Sequence, residues 1–105
     1  MRVVMAGLVV VSVLSSSAAF AAMDKTQRGT FEDKCVRQMY MTTAQCSCMA
    51  DIAEKKLDDL SIAYLSLDAL DVRNAAAISK KLTAAESGAI NRFMSTAPGQ
   101  CKGAK

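Results

Sequence analysis

The sequence predicts an all-α protein, a small bundle of about four short helices cross-linked by two disulfides. Apolar residues recur at spacings of three and four along most of the chain, which is the period of a helix with one buried face. The chain contains four cysteines, no tryptophan and few other aromatic residues. Small exported domains with thin apolar cores commonly use disulfides in place of apolar burial.

The first 21 residues are typical of an export signal. Arg2 supplies a positive start, residues 3–14 are predominantly apolar, and Ala19-Phe20-Ala21 fits the small-x-small rule for cleavage. The predicted cut follows Ala21, with a cut after Ala22 as the alternative. We therefore expect 1–21 to be a signal peptide and 22–105 to be one periplasmic or secreted domain. Within that domain we expect an ordered core over 30–98 and loose ends at 22–29 and 102–105.

The first two helices follow from the spacing of apolar residues and from one turn. Phe31, Cys35 and Met39 lie four residues apart, and Thr30 is a suitable N-cap. Thr42-Thr43 predicts the turn that follows this helix. A second helix is then expected from about Ala44 to Asp58, with its buried positions at Cys48, Met49, Ile52, Ala53 and Leu57.

A third helix is predicted to begin at Asp59 or Ser61 and to bury the side chains of Leu60, Tyr64 and Leu67. We expect it to bend near residues 71–74 and to continue to Lys80-Lys81, whose cations suit a helix C-terminus. Tyr40 and Tyr64 are both expected to be half-buried, with their hydroxyls in water.

The last helix has a clear start and a clear stop signal. Thr83 and Glu86 form the pattern of a capping box. The helix is predicted to bury Ala89, Ile90, Phe93 and Met94 and to end before Pro98-Gly99, where the only proline of the chain lies.

The four cysteines allow three pairings. A Cys46–Cys48 bond would close a strained three-residue ring, whereas residues two apart on a helix point about 200° away from each other and suit two different partners. Cys35 and Cys48 are expected to face each other across the turn at Thr42-Thr43, which leaves Cys46 for Cys101. Cys35–Cys48 with Cys46–Cys101 is therefore the favoured pairing, and Cys35–Cys46 with Cys48–Cys101 is the alternative.

Composition excludes several classes of function. The chain has no histidine, which removes the commonest general base and the commonest metal ligand, and no Gly-x-Ser-x-Gly turn is present for a hydrolase. The net charge of +3 is too small to favour nucleic acid as a partner. No apolar stretch after the signal could span a membrane. We therefore expect no enzymatic activity and no cofactor.

Two local patterns have both a chemical and a structural interpretation. Cys46-Ser47-Cys48, together with Met49, offers soft sulfur donors for Cu(I), but disulfides are the favoured use of these cysteines. The carboxylates Asp58-Asp59, Asp68 and Asp71 lack the loop spacing and the glycine of a calcium site. Helix capping and solvated surfaces account for them better.

The motif Cys35-x10-Cys46-x-Cys48, followed by a leucine-rich helix, resembles a loose group of uncharacterised small secreted bacterial helical proteins. In that group the motif opens the mature domain and a later cysteine, here Cys101, closes it. The resemblance implies a disulfide-bonded helical domain of the cell envelope and transfers no activity.

The function expected from these observations is that of an exported, non-enzymatic protein-binding or accessory protein of the bacterial cell envelope. Its partner would be an unidentified envelope or secreted protein, docking on an apolar patch around Ile62, Leu65 and Leu70. Two alternatives are a periplasmic Cu(I) carrier that uses Cys46, Cys48 and Met49, and a small stress-type periplasmic chaperone.

Overall fold

A computed structural model describes residues 22–105, which form five α-helices. These are α1 (Lys25–Met39), α2 (Thr43–Lys56), α3 (Asp59–Leu65), α4 (Val72–Ser79) and α5 (Ala84–Cys101). No strand occurs within 22–105, so the predicted all-α class is confirmed. The signal peptide predicted at 1–21 lies outside the described residues. Within 22–105 there is no helix that combines the length and the apolar character needed to cross a membrane.

The first helix begins earlier than the sequence predicted. Asp24, not Thr30, is its N-cap: the Gln27 backbone N–H donates to Asp24 Oδ1 at 2.7 Å, and the Asp24 N–H donates to Gln27 Oε1 at 3.1 Å. Met23 is buried, and its backbone N–H donates to Glu54 Oε2 at 2.8 Å. The expectation that 22–29 is loose is therefore wrong, because this reciprocal cap and a contact with α2 order the segment.

Arg28 connects α1 to α2 through one guanidinium group. Its Nε lies 2.7 Å from Glu32 on its own helix, and its Nη2 lies 2.8 Å from Asp51 Oδ1 on α2. The same Nη2 donates to the carbonyl and hydroxyl oxygens of Ser47, both at 3.0 Å, and Nη1 lies 3.5 Å from Glu54. The planar fork of arginine suits such multiple bonding, so Arg28 fixes how α1 lies along α2.

Helix α2 is the centre of the bundle, since both α1 and α5 pack against it. It starts with a capping box between Thr42 and Gln45 and ends at Leu57, which is buried. The core positions are close to those predicted, although Cys48 and Ile52 are only half-buried. Small residues allow the neighbouring helices to approach closely, and the fully buried side chains on this face include Ala50 and Ala53.

The predicted third helix is two helices. α3 ends at Leu65, and Asp68 accepts a hydrogen bond from the Leu70 N–H at 2.9 Å within the turn that follows. Asp71 then caps α4. Aspartates that bond nearby backbone N–H groups favour turns and caps over helix interiors, which explains why the expected bend is a complete break.

The orientation of α3 also differs from the prediction. Its buried residues are Ser61 and Ile62, whereas Leu60, Tyr64 and Leu67 are half-buried. The predicted stripe is therefore wrong as the core-facing side. The apolar residues of α3 surround the helix almost completely, so periodicity alone did not determine which side faces the core.

The last helix begins where predicted, with Thr83 and Glu86 bonded reciprocally at 2.8 and 3.0 Å. It does not end before Pro98 but continues to Cys101. Proline removes one helical hydrogen bond. Ala97 and Cys101 on either side are nevertheless fully buried, and Cys101 is bonded covalently to α2. Of the predicted core positions here, Ile90 and Phe93 are buried, Ala89 is half-buried and Met94 is 40% exposed.

The disulfides are Cys35–Cys46 and Cys48–Cys101, so the favoured pairing is wrong and the alternative is observed. The α1–α2 connection is centred on Met41 because Thr42 already caps α2. This shorter connection places Cys46, not Cys48, level with Cys35. The separate partners of Cys46 and Cys48 agree with their opposite directions on the helix.

We expect Arg28→Leu to lower the free energy of unfolding by about 1–2 kcal/mol, because it removes several ionic contacts that are each worth up to about 1 kcal/mol. Urea denaturation measures this change. Arg37→Leu is the matched control, since Arg37 is mostly exposed and contacts Asp33 within its own helix at 3.2 Å. That variant should change the same free energy by less than about 0.5 kcal/mol. Equal effects of the two variants would show that Arg28 does not fix α1 on α2.

Candidate functional site

The most exposed apolar residues after Tyr40 lie at the start of α4. Leu70 is 88% exposed and Val72 is 73% exposed. No residue of α4 is buried, and the helix packs against α3. We call Leu70, Val72 and helix α4 the α4 surface. It is the part of the described chain where apolar side chains are least covered.

The patch predicted from the sequence is only partly present. Leu70 is exposed as expected, but Leu65 is half-buried and Ile62 is 1% exposed in the core. Ile62 lies in the core and Leu65 packs against it, because the buried side of α3 is centred on Ile62 and not on the predicted stripe. The exposed apolar surface is therefore centred on the start of α4 and not on α3.

Tyr40 is the second conspicuous exposed residue. Its side chain is 91% exposed, and its φ of 56° places it in the left-handed region at the C-cap of α1. The expectation of a half-buried ring is wrong for Tyr40, although Tyr64 is half-buried as expected. A non-glycine residue in this conformation costs about 1–2 kcal/mol, and the ring recovers nothing by burial. The tyrosine is therefore positioned by the turn and is available to contact another molecule.

An apolar cavity of about 130 Å³ lies where four helices meet. Three methionines from three helices line it: Met39 from α1, Met49 from α2 and Met94 from α5. The remaining wall residues are Phe31, Lys34, Cys35, Gln38 and Leu65. The Phe31 ring packs against Phe93 with 6.2 Å between the centroids, which holds α1 and α5 together beside the cavity.

Lys34 is the one charged residue in the wall of this cavity. Its Nζ donates to the carbonyl oxygen of Leu65 at 3.2 Å. Partial burial lowers the pKa of Lys34, and the nearby carboxylate of Asp68 opposes that effect. The cavity is thus apolar in most of its wall, with one cation at its edge.

A second groove of about 310 Å³ lies between α2 and α5. Its apolar floor contains Ile52, Ala89 and Phe93, and its rim carries Lys56 and Arg92. No carboxylate lines it, so the groove is more polar than the methionine cavity and is cationic.

The cysteines of the Cys46-Ser47-Cys48 motif are in two different disulfides. All four cysteines of the described chain are paired, so a thiolate Cu(I) site on Cys46, Cys48 and Met49 would require both bonds to be reduced. Within residues 22–105, no three Cys, Asp or Glu residues are grouped so as to hold a metal ion.

The predicted acidic residues act as caps. Asp58 accepts a hydrogen bond from the Ser61 N–H at 3.0 Å, and Asp71 accepts one from the Asn74 N–H at 3.3 Å. Partial burial opposes ionisation of Asp58, but hydrogen bonding, chiefly from the Ser61 backbone N–H, outweighs it and lowers the pKa of Asp58.

The chain matches no family model, no curated protein and no solved structure.

We expect the cap at Asp58 to make stability depend on pH. In the folded protein the pKa of the Asp58 carboxyl is lowered from 3.8. Its contribution to the free energy of unfolding is therefore complete above the pKa of the unfolded state and is lost as the pH falls through the pKa of the folded state. Asp58→Asn should thus be less stable than the wild type at pH 7, and the difference should disappear on acidification. Thermal unfolding measured from pH 7 to pH 2 tests this.

The control for that experiment is Asp59→Asn, which removes a neighbouring exposed charge and leaves the bonds of Asp58 in place. Its melting temperature should fall on acidification in the same way as that of the wild type. A difference between Asp58→Asn and the wild type that stayed constant over the whole range would contradict the pKa argument.

Proposed function

We propose that the protein is an exported, non-enzymatic protein-binding component of the bacterial cell envelope. The observation that carries the proposal is the α4 surface: Leu70, in the turn before α4, and Val72, at its start, are 88% and 73% exposed, and no residue of α4 is buried within the described chain. Apolar area gains about 25 cal/mol per Å² when it is removed from water. A partner protein that covers these side chains supplies that gain.

Export is supported by the chemistry of the cysteines and by the leader pattern. Disulfides persist in oxidising compartments and are rare in the cytosol, and two disulfides join α1 and α5 to α2. The first 21 residues carry the charge, the apolar run and the small residues of a cleavable signal. Together these features favour a periplasmic or secreted protein.

Binding is supported by the way in which α4 is attached. It packs against α3 and buries no residue, so it contributes little to the core. Its capping aspartate, Asp71, nevertheless fixes where it starts. An ordered element that adds little to the stability of its own domain is well suited to contact another molecule, and exposed apolar patches commonly mark such contacts.

The first experiment measures the intact mass of the protein isolated from its own cells without reductant. Cleavage after Ala21 and a mass four hydrogens below that of the reduced chain are expected, because each of two disulfides removes two hydrogens. Peptide mapping of the same sample should yield Cys35–Cys46 and Cys48–Cys101. A full-length, fully reduced protein would contradict export.

The second experiment places a photo-crosslinking residue at position 70 in living cells. A single discrete adduct is expected, and Val72→Ser should weaken its formation by removing apolar area next to position 70. A crosslinker at Thr96, which lines the α2–α5 groove, is the matched comparison at another exposed site.

The outcomes of the crosslinking experiment are distinct. An adduct from position 70 but not from position 96 supports docking on the α4 surface. An adduct from position 96 alone places the partner in the groove and contradicts the α4 surface. An adduct of twice the protein's own mass identifies a second copy of this chain, and the absence of any adduct at both positions contradicts protein binding.

A further inference from the structure

We propose that the thioethers of Met39, Met49 and Met94 form a binding site for a soft monovalent cation, Cu(I) or Ag(I). This site is separate from the α4 surface and does not depend on it. It also differs from a site on the cysteines, because its donors remain available when both disulfides are closed.

Three methionines come together at one cavity. Of the five methionines among residues 22–105, three line one cavity, and each comes from a different helix. Methionine is a common filler of irregular apolar space, so one methionine at such a cavity would indicate nothing more. Three thioethers around one cavity offer a soft donor set that three leucines would not.

Thioethers, unlike thiols, stay available as ligands in an oxidising compartment. Thiolates are the stronger soft ligands, but here every cysteine of the described chain is held in a disulfide. Thioethers do not form disulfides and remain able to bind Cu(I), for which thiolate and thioether ligands are selective. The methionines are therefore the soft donors that the oxidised protein retains.

The wall of the cavity favours a soft cation over Mg²⁺ or Ca²⁺. No carboxylate lines the cavity, and Phe31 and Leu65 contribute apolar wall. Mg²⁺ and Ca²⁺ require oxygen ligands and retain water, so this wall disfavours them. The volume of about 130 Å³ is several times the share of one water molecule, about 30 Å³, so the cavity has room for a single cation.

At least one of the three sulfur donors belongs to a side chain that solvent reaches. Met94 is 40% exposed, whereas Met49 is 1% exposed, so the donors extend from the surface to the core. Methionine has three rotatable bonds and an unbranched chain. Met94 is therefore the most exposed of the three donors, and its flexible side chain is free to reorient toward an ion.

Lys34 provides an electrostatic test of what the cavity holds. Its ammonium lies at the cavity wall and repels a bound cation, whereas it would attract a carboxylate. Lys34→Gln should therefore tighten Ag(I) binding. The same substitution would weaken the binding of an anionic amphiphile such as hexanoate.

The experiment follows the ε-methyl signals of the methionines by NMR while Ag(I) is added to the oxidised protein. The signals of Met39, Met49 and Met94 are expected to shift together, and that of Met23 is expected to remain. Met23 is an internal control, because it is buried beside Glu54 and does not line the cavity.

The matched variants are Met94→Leu and Met23→Leu, since exchange of methionine for leucine conserves volume. Changes even in groups that only support a metal ligand cost about 10–100-fold in affinity, so Met94→Leu should weaken Ag(I) binding at least about tenfold. Met23→Leu should leave the affinity unchanged. Cu(I) affinities from competition with a chromophoric chelator should follow the same order.

Three results would overturn the proposal. The first is equal affinity in Met94→Leu and in the wild type. The second is weaker Ag(I) binding after Lys34→Gln. The third is binding only by protein whose disulfides have opened, which the intact mass of the silver-loaded sample reveals.

Discussion

The rest of the structure depends on the covalent attachment of α2 to the helices on both of its sides. Cys46 and Cys48 are two residues apart and face opposite directions, so one helix is bonded to α1 and also to α5. Chain-entropy estimates assign about 3 kcal/mol to a loop of 11 residues and about 4 kcal/mol to one of 53. In a small domain, whose total stability is about 5–15 kcal/mol, these two bonds are a large share.

The noncovalent contacts reinforce the same arrangement. Arg28 bonds α1 to α2 on one side, and the Phe31 and Phe93 rings join α1 to α5 on the other. Each of the five helices within residues 22–105 begins with an aspartate or threonine whose side chain accepts a backbone N–H. Caps of this kind contribute about 1 kcal/mol each. Short helices with little apolar area therefore have defined starting points, which fixes the lengths of the connections between them.

How much the sequence predicts depends on how local the responsible interaction is. The capping box at Thr83 and Glu86 needs only four residues, and it was predicted correctly. The Asp24–Gln27 cap is equally local and was missed, whereas the contacts of residues 22–29 with Glu54 and Asp51 lie far along the chain and had no local pattern. The same reason applies to Pro98, which stays helical because Cys101 is tied to α2. The predicted disulfide pairing was wrong because the turn between α1 and α2 lies about two residues earlier than predicted.

The candidate functional sites likewise combine features that the sequence predicts with features that it does not. The sequence indicated that some apolar surface stays uncovered, and Leu70 is exposed as expected. It did not show which side of α3 is buried, because that helix is apolar around most of its circumference. Nor did it bring Met39, Met49 and Met94 together, since they belong to helices whose packing is set by the two disulfides. A set of donors that is dispersed over 56 positions of sequence has no local signature.

The Cys48–Cys101 bond encloses α3 and α4 in a covalent ring with α5. A protease that cut the turn between α3 and α4 would thus release no fragment, because both new ends would still belong to chains joined through sulfur. Cleavage at this turn would therefore leave α4 covalently held to the core that α1, α2 and α5 form.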